Sequence, residues 1–165
     1  MKISIANLSE GIHKVHFSVE AESVGLEEKF SKDVTVDVVL NKTSREVFLQ
    51  AEVGGLGRFT CDRCVDEFER QITNAFDIVY LHDEKESEQY PDDEVHMLEP
   101  GTTQIDITED VRQFIMLAVP LKLLCREECA GLCHRCGSNL NRGKCSCKTE
   151  EIDPRWEGLH RLLEK

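Results

Sequence analysis

The sequence lacks any unbroken run of 18 apolar residues, and its opening, MKISIANLSEGIHK, holds no apolar stretch of signal-peptide length. The expectation is a soluble, cytoplasmic protein that makes no membrane contact. Aromatic residues are scarce at 6%, so a core must be modest and built mainly from aliphatic side chains. Basic charge is also in short supply. Twenty Lys and Arg face 32 Asp and Glu, a formal net charge of −12. That argues against broad, non-specific nucleic-acid binding and leaves room for a local basic patch. Neither a nucleophile–base pair nor a catalytic acid pair stands out. The stretch VGGLGRF lacks the lysine and Ser/Thr of a phosphate loop, so Gly54, Gly55 and Gly57 read as turn residues. The chain does not read as an enzyme, and no small-molecule substrate is expected.

Cysteine, by contrast, is plentiful. Six of the eight cysteines fall within residues 125–147, CREECAGLCHRCGSNLNRGKCSC, and the other two lie far upstream in CDRC. Disulfides do not persist in a reducing compartment, and a disulfide-rich secreted domain would need an export signal. Clustered thiols in such a chain therefore read as metal ligands. They form four close pairs: Cys61 and Cys64, Cys125 and Cys129, Cys133 and Cys136, Cys145 and Cys147. Zinc takes four thiolates tetrahedrally, so the expectation is two structural zinc ions. An iron–sulfur cluster uses the same donors and stays open.

Two pairings are also open. In one, Cys133, Cys136, Cys145 and Cys147 close a local ribbon-like site, while Cys61, Cys64, Cys125 and Cys129 form a long-range site. In the other, the pairs interleave. The local pairing is preferred because short loops cost little closure entropy. CDRC as a redox motif would need a helix behind it, and a strand pattern follows instead. His134 sits inside one pair, but eight thiols already suffice.

Elsewhere the first eighty residues alternate apolar and polar. Val15, Phe17 and Val19 keep this register, as do Val34 to Leu40, Val47 to Val53, and Phe68, Ile72, Phe76, Ile78 and Tyr80, broken at Arg70 and Asn74. Period two with β-branched residues predicts half-buried strands of an antiparallel sheet or small barrel. Residues 82–110 carry eleven acids against Lys85, a net charge of −10. Such a stretch reads as a solvated loop, or as a contact for a basic partner such as a ribosomal protein. TEDVRQFIMLAVP predicts a helix capped by Thr108, with Val111, Phe114, Ile115 and Ala118 on its apolar face. DPRWEGLHRLLEK predicts a second, with Asp153 as cap, Pro154 in its first turn, and Trp156, Leu159, Leu162 and Leu163 inward.

The expected class is α+β: an antiparallel, barrel-like β domain (1–81, including the first cysteine pair), an acidic loop (82–104), then a helix, a cysteine-rich zinc-binding segment and a C-terminal helix (105–165). Charge reverses locally. Residues 122–148 hold six basic residues against Glu127 and Glu128, a net of +4. Arg126, Arg135, Arg142, Lys144 and Lys148 are candidate RNA contacts. Equally, these cations can simply offset the thiolates.

Taken in order, FTCDRCVDEFE, IDITEDVRQFIMLAVPLKLLC, CAGLCHRCGSNLN with CSC, and DPRWEGLHRLL resemble the YceD family, the large ribosomal RNA subunit accumulation proteins. The resemblance implies a non-enzymatic role in synthesis, processing or accumulation of large-subunit (23S) ribosomal RNA. It implies precursor rRNA or a pre-50S intermediate as partner, and cysteines that bind zinc. A zinc-stabilised adaptor for a ribosomal protein is the alternative.

Overall fold

The computed structural model describes residues 1–30, 32–83, 90 and 95–147. The predicted C-terminal helix and Lys148 lie outside the described residues. Four strands run as an antiparallel meander: β2 (Gly11–Val19), β3 (Val34–Lys42), β4 (Glu46–Thr60) and β5 (Glu67–Leu81). A short strand β6 (Val95–Met97), within the acidic stretch, adds parallel to β5. Separately, β1 (Lys2–Ser4) pairs antiparallel with β7 (Gln104–Asp106), and α1 (Thr108–Leu117) follows.

The alternation does what period two requires. Val34, Val36, Val38 and Leu40 of β3 are buried, as are Val47, Leu49, Ala51 and Val53 of β4, while the intervening polar side chains face out.

The expected barrel does not form. The five-stranded sheet is open, in the order β2-β3-β4-β5-β6, with β2 and β6 at its edges. A sheet hides its apolar face either by rolling up or by being covered, and here it is covered. Ile3, Leu26, Phe30, Ile105, Ile107, Val111 and Ile115 join the sheet's aliphatic face in one buried cluster. Helix α1, the β1–β7 pair and the segment from Ala21 to Phe30 therefore supply the second layer. Thr108 opens α1 rather than capping it. The Asp106 carboxylate accepts the Thr108 amide at 3.0 Å, and its acidic carboxyl at the positive helix end is held down to about 2, chiefly by the Thr108 hydroxyl.

The glycines of VGGLGRF do not turn the chain. They lie inside β4, a fifteen-residue strand. Gly55 and Gly57 continue the core-facing register of Val47 to Val53; the side chain missing at Gly55 makes room for Phe30 and the one missing at Gly57 for Phe59, and Phe30 bridges to Gly57 and packs edge-on to Phe59. A Cβ on Gly55 would stand 2.9 Å from the Phe30 ring, closer than packed atoms tolerate. The breaks in β5 are equally local. Arg70 lies opposite Gly57, and Asn74 donates to the carbonyl of Phe114 at 2.7 Å, tying the end of α1 to the sheet.

Because β3 pairs with β4 only as far as Gly54, the β4–β5 ladder continues beyond it as a two-stranded arm with Cys61–Asp66 at its tip. Gly55→Ala is expected to lower unfolding free energy by about 1–3 kcal/mol in urea titrations, through overpacking against Phe30. An unchanged midpoint would show that Phe30 can shift at no cost.

Candidate metal centre

The tip of the arm is a six-residue turn, CDRCVD. The Cys61 amide donates to the Asp66 carbonyl and the Val65 amide to the Cys61 carbonyl, both at 2.9 Å. The stretch CHRCGS repeats this pattern. The Cys133 amide donates to Ser138 at 2.8 Å and the Gly137 amide to Cys133 at 2.9 Å. Each turn needs a left-handed residue directly after its second cysteine. Gly137 adopts φ 73° freely, whereas Val65 adopts φ 61° against the steric preference of a β-branched side chain.

Chain geometry then gathers the sulfurs into two groups, Cys61, Cys64, Cys125 and Cys129, and Cys133, Cys136, Cys145 and Cys147. Within each, the four Sγ atoms lie within 4.8 Å of one another. The long-range group forms because the chain leaving α1 docks on the arm. Leu123 exchanges two bonds with Asp62: its carbonyl accepts the Asp62 amide at 2.8 Å, and its amide donates to the Asp62 carboxylate at 2.6 Å. Arg63 then donates to the carbonyls of Glu127 and Cys129 at 3.1 and 2.9 Å, holding the turn that presents Cys125 and Cys129.

Four sulfurs about 2.3 Å from one tetrahedral ion stand about 3.8 Å apart. Cys61 and Cys129 are 3.8 Å apart, Cys64 and Cys125 3.7 Å, distances that fit a shared ion and are far too long for a disulfide. All eight thiols are free.

The electrostatics point the same way. Burial opposes the Cys61 thiolate, but the amides of Cys125, Cys64 and Arg63 outweigh it and hold its pKa at about 6. The Asp66 amide pulls on Cys64, yet burial and the three neighbouring sulfurs push that thiol up to about 12. In the second group the Ser138 hydroxyl and amide lower Cys136 to about 6, and Cys136 in turn helps raise Cys147 to about 12. In each group two thiols go down and two go up (Cys129 and Cys133 down, Cys125 and Cys145 up). Four thiolates this close repel one another, and a divalent cation is what lets all four ionise. Both tetrads could hold a metal ion. The first is the more buried: Cys61, Cys64 and Cys129 are 1–3% exposed, while Cys136 of the second faces solvent.

Of the candidate RNA contacts, Arg126, Arg135, Arg142 and Lys144 all occupy exposed positions. Arg126 donates to Asn141 at 2.7 Å, and Arg142 pairs with Asp66 at 2.9 Å, so both also serve the local structure. His134 is in neither tetrad. Sequence reasoning passed over Asp66, Asn139 and Asn141. Asn139 donates to the Asp66 carboxylate at 2.8 Å and Asn141 to the Cys129 sulfur at 3.2 Å. Their sequence signal was the repeat of CDRCVD in CHRCGSN, with polar residues of matching reach. No described helix is long and apolar enough to cross a membrane.

Residues 49–163 match the family described as "Large ribosomal RNA subunit accumulation protein YceD". A chloroplastic protein of Arabidopsis thaliana, "Large ribosomal RNA subunit accumulation protein YCED homolog 1", is 27% identical over 80% of this chain and 48% of its own length. A Zea mays protein of the same name is 37% identical, over 37% of this chain and 21% of its own length. An uncharacterised protein of Mycobacterium tuberculosis is 27% identical over 78% of this chain and 61% of its own. The chain thus spans roughly half to three fifths of the first curated relatives it matches. No solved structure matches.

Three outcomes follow from the geometry. Native mass spectrometry of the reduced chain should show two divalent ions, and Cys129→Ser should lose one of them. Exhaustive chelation should abolish hydrogen-exchange protection across 125–147 while leaving the sheet protected; retained protection there would show that the sulfurs need no ion. Val65→Gly, by relieving the left-handed strain, should stabilise the metal-loaded form by about 1 kcal/mol in denaturant melts.

Proposed function

This chain belongs to the YceD family of large ribosomal RNA subunit accumulation proteins, and from that membership we propose that it is a non-enzymatic factor supporting accumulation of large-subunit ribosomal RNA. It binds precursor 23S rRNA or a pre-50S intermediate, in the cytoplasm or its organellar equivalent. The ions are structural zinc. A complete shell of four thiolates leaves no open coordination position for substrate or water, as a catalytic zinc requires.

The observation that supports RNA contact is the charge reversal around the sulfurs. The chain as a whole is strongly acidic, yet residues 122–148 carry a net of +4. Arg135 and Lys144 lie on the exposed rim of the second tetrad. Arginine and lysine on such a rim meet phosphate oxygens, and phosphate contacts weaken as salt rises. The acidic stretch from 82 to 110 favours a second reading, an adaptor that grips a basic ribosomal protein through its carboxylates.

Arg135→Glu with Lys144→Glu leaves the Arg126 and Arg142 bonds intact. It should weaken binding to a large-subunit rRNA transcript at least about tenfold and flatten the plot of log affinity against log salt by about two units. Unchanged binding would remove this rim as the RNA surface. A chain that ignores the transcript but retains a basic ribosomal protein would favour the adaptor.

A further inference from the structure

The two tetrads are not independent neighbours. The residues between Cys136 and Cys145, the loop that the second tetrad closes, reach across to the first. Asn141 is the central link. Its side-chain amide donates to the Cys129 sulfur at 3.2 Å, and its side-chain carbonyl accepts the Ala130 amide at 2.8 Å and the Arg126 guanidinium at 2.7 Å. Asn139 holds Asn141 in place, its side-chain oxygen accepting both the backbone and the side-chain amide of Asn141 at 3.0 Å. Asn139 is in turn anchored on Asp66, which also pairs with Arg142. Asp66 belongs to the turn that carries Cys61 and Cys64. Two backbone bonds run alongside: Leu140 to Gly131 at 2.9 Å and Leu132 to Arg63 at 3.0 Å. At Gly131, with φ 74°, a side chain would stand 3.0 Å from the Arg63 carbonyl, so the two turns touch here with no room between them.

We infer that Asn141 is a positioning residue for the first tetrad, delivered by the loop of the second, and that the two sites therefore take up their ions cooperatively, as one binuclear unit. The inference rests on both tetrads being metal sites. Groups that hydrogen-bond a metal ligand orient it and tune its affinity, and losing one typically costs 10–100-fold in metal binding. A loop that is ordered only when its own four sulfurs are gathered presents Asn141 to Cys129 only then. Coupling of this kind is reciprocal, so an ion in the first tetrad favours the second by the same factor.

The test uses the full reduced chain stripped of metal and titrated with Co²⁺, whose thiolate charge-transfer absorption reports each filled site, with native mass spectrometry counting ions per chain. The native chain should pass from none to two ions with the one-ion species scarce. Asn141→Ala should populate the one-ion species and weaken Co²⁺ binding at the first tetrad at least about tenfold, with a shifted charge-transfer band. Asn141→Asp keeps the acceptor for Ala130 and Arg126 but loses the donor to sulfur, and should move the same readouts in the same direction should the alanine variant fold poorly. Removing the second tetrad with Cys145→Ser and Cys147→Ser should weaken the first by a similar factor. A statistical share of one-ion species in the native chain, or a first tetrad indifferent to these changes, would overturn the coupling while leaving two metal sites. No charge-transfer band in the native chain would instead overturn the metal reading beneath it.

Discussion

Like charges packed into a small volume govern this molecule. Each tetrad brings four sulfurs within 4.8 Å, where four thiolates repel one another. A shared cation would resolve the conflict, and its binding energy would then become folding energy for the segment that supplies the ligands. That segment has little else to fold with. From Cys125 to Cys147 the buried residues are Cys129, Gly131 and Cys133. The one bridge of strand character is Leu132 with Asn139. Sulfur occupies the place that an apolar core takes in a larger domain.

The β layer makes this affordable by holding one half of the first tetrad in advance. Strands β4 and β5 are each fifteen residues long because their inner ends are buried under α1 and Phe30 while their outer ends run on as a paired arm. Gly55 and Gly57 allow that length. Any larger side chain at Gly55 would meet Phe30 and lift the covering segment from the strand. Asn74 fastens the last turn of α1 through the Phe114 carbonyl, and Asp62 receives Leu123 six residues before Cys129, the first buried sulfur of the tail, so the long loop between Cys64 and Cys125 is closed by the protein's own contacts. The entropy of that closure falls on folding of the sheet and helix rather than on metal binding alone.

Much of this was legible in the chain. The alternation of β3, β4 and β5 and the helix at 108–117 follow from periodicity, and the local grouping of the cysteines was the preferred of two open pairings, on loop length. The open, covered sheet was not, and a barrel was expected in its place, because period two says which face of a strand is buried and nothing about what buries it; Ile3, Phe30 and Ile105 are too scattered to announce a covering layer. The glycines misled for a related reason. In sequence they look like punctuation, and only the position of Phe30 across the strand shows that a side chain is missing to admit a ring. Asn139 and Asn141 resemble ordinary hairpin residues until Asp66, more than seventy positions upstream, is placed beside them.

Net charge sharpens what the basic segment can do. A divalent ion with four thiolates carries about −2, so two filled tetrads contribute about −4. The side chains of 122–148 sum to +4. Segment and sites taken together, with Cys61 and Cys64 included, are then close to neutral, and bulk attraction for a polyanion does not account for an RNA-binding role on a chain this acidic. Any recognition has to come from where the cations point. Arg126 bonds Asn141, which itself donates to the Cys129 sulfur, and Arg142 bonds Asp66. Arg135 and Lys144 occupy exposed positions that immediately precede Cys136 and Cys145 of the second tetrad. A run of basic residues can therefore carry two meanings at once, since a guanidinium bonded to the groups around a thiolate screens it and, from an exposed position, still presents charge to phosphate.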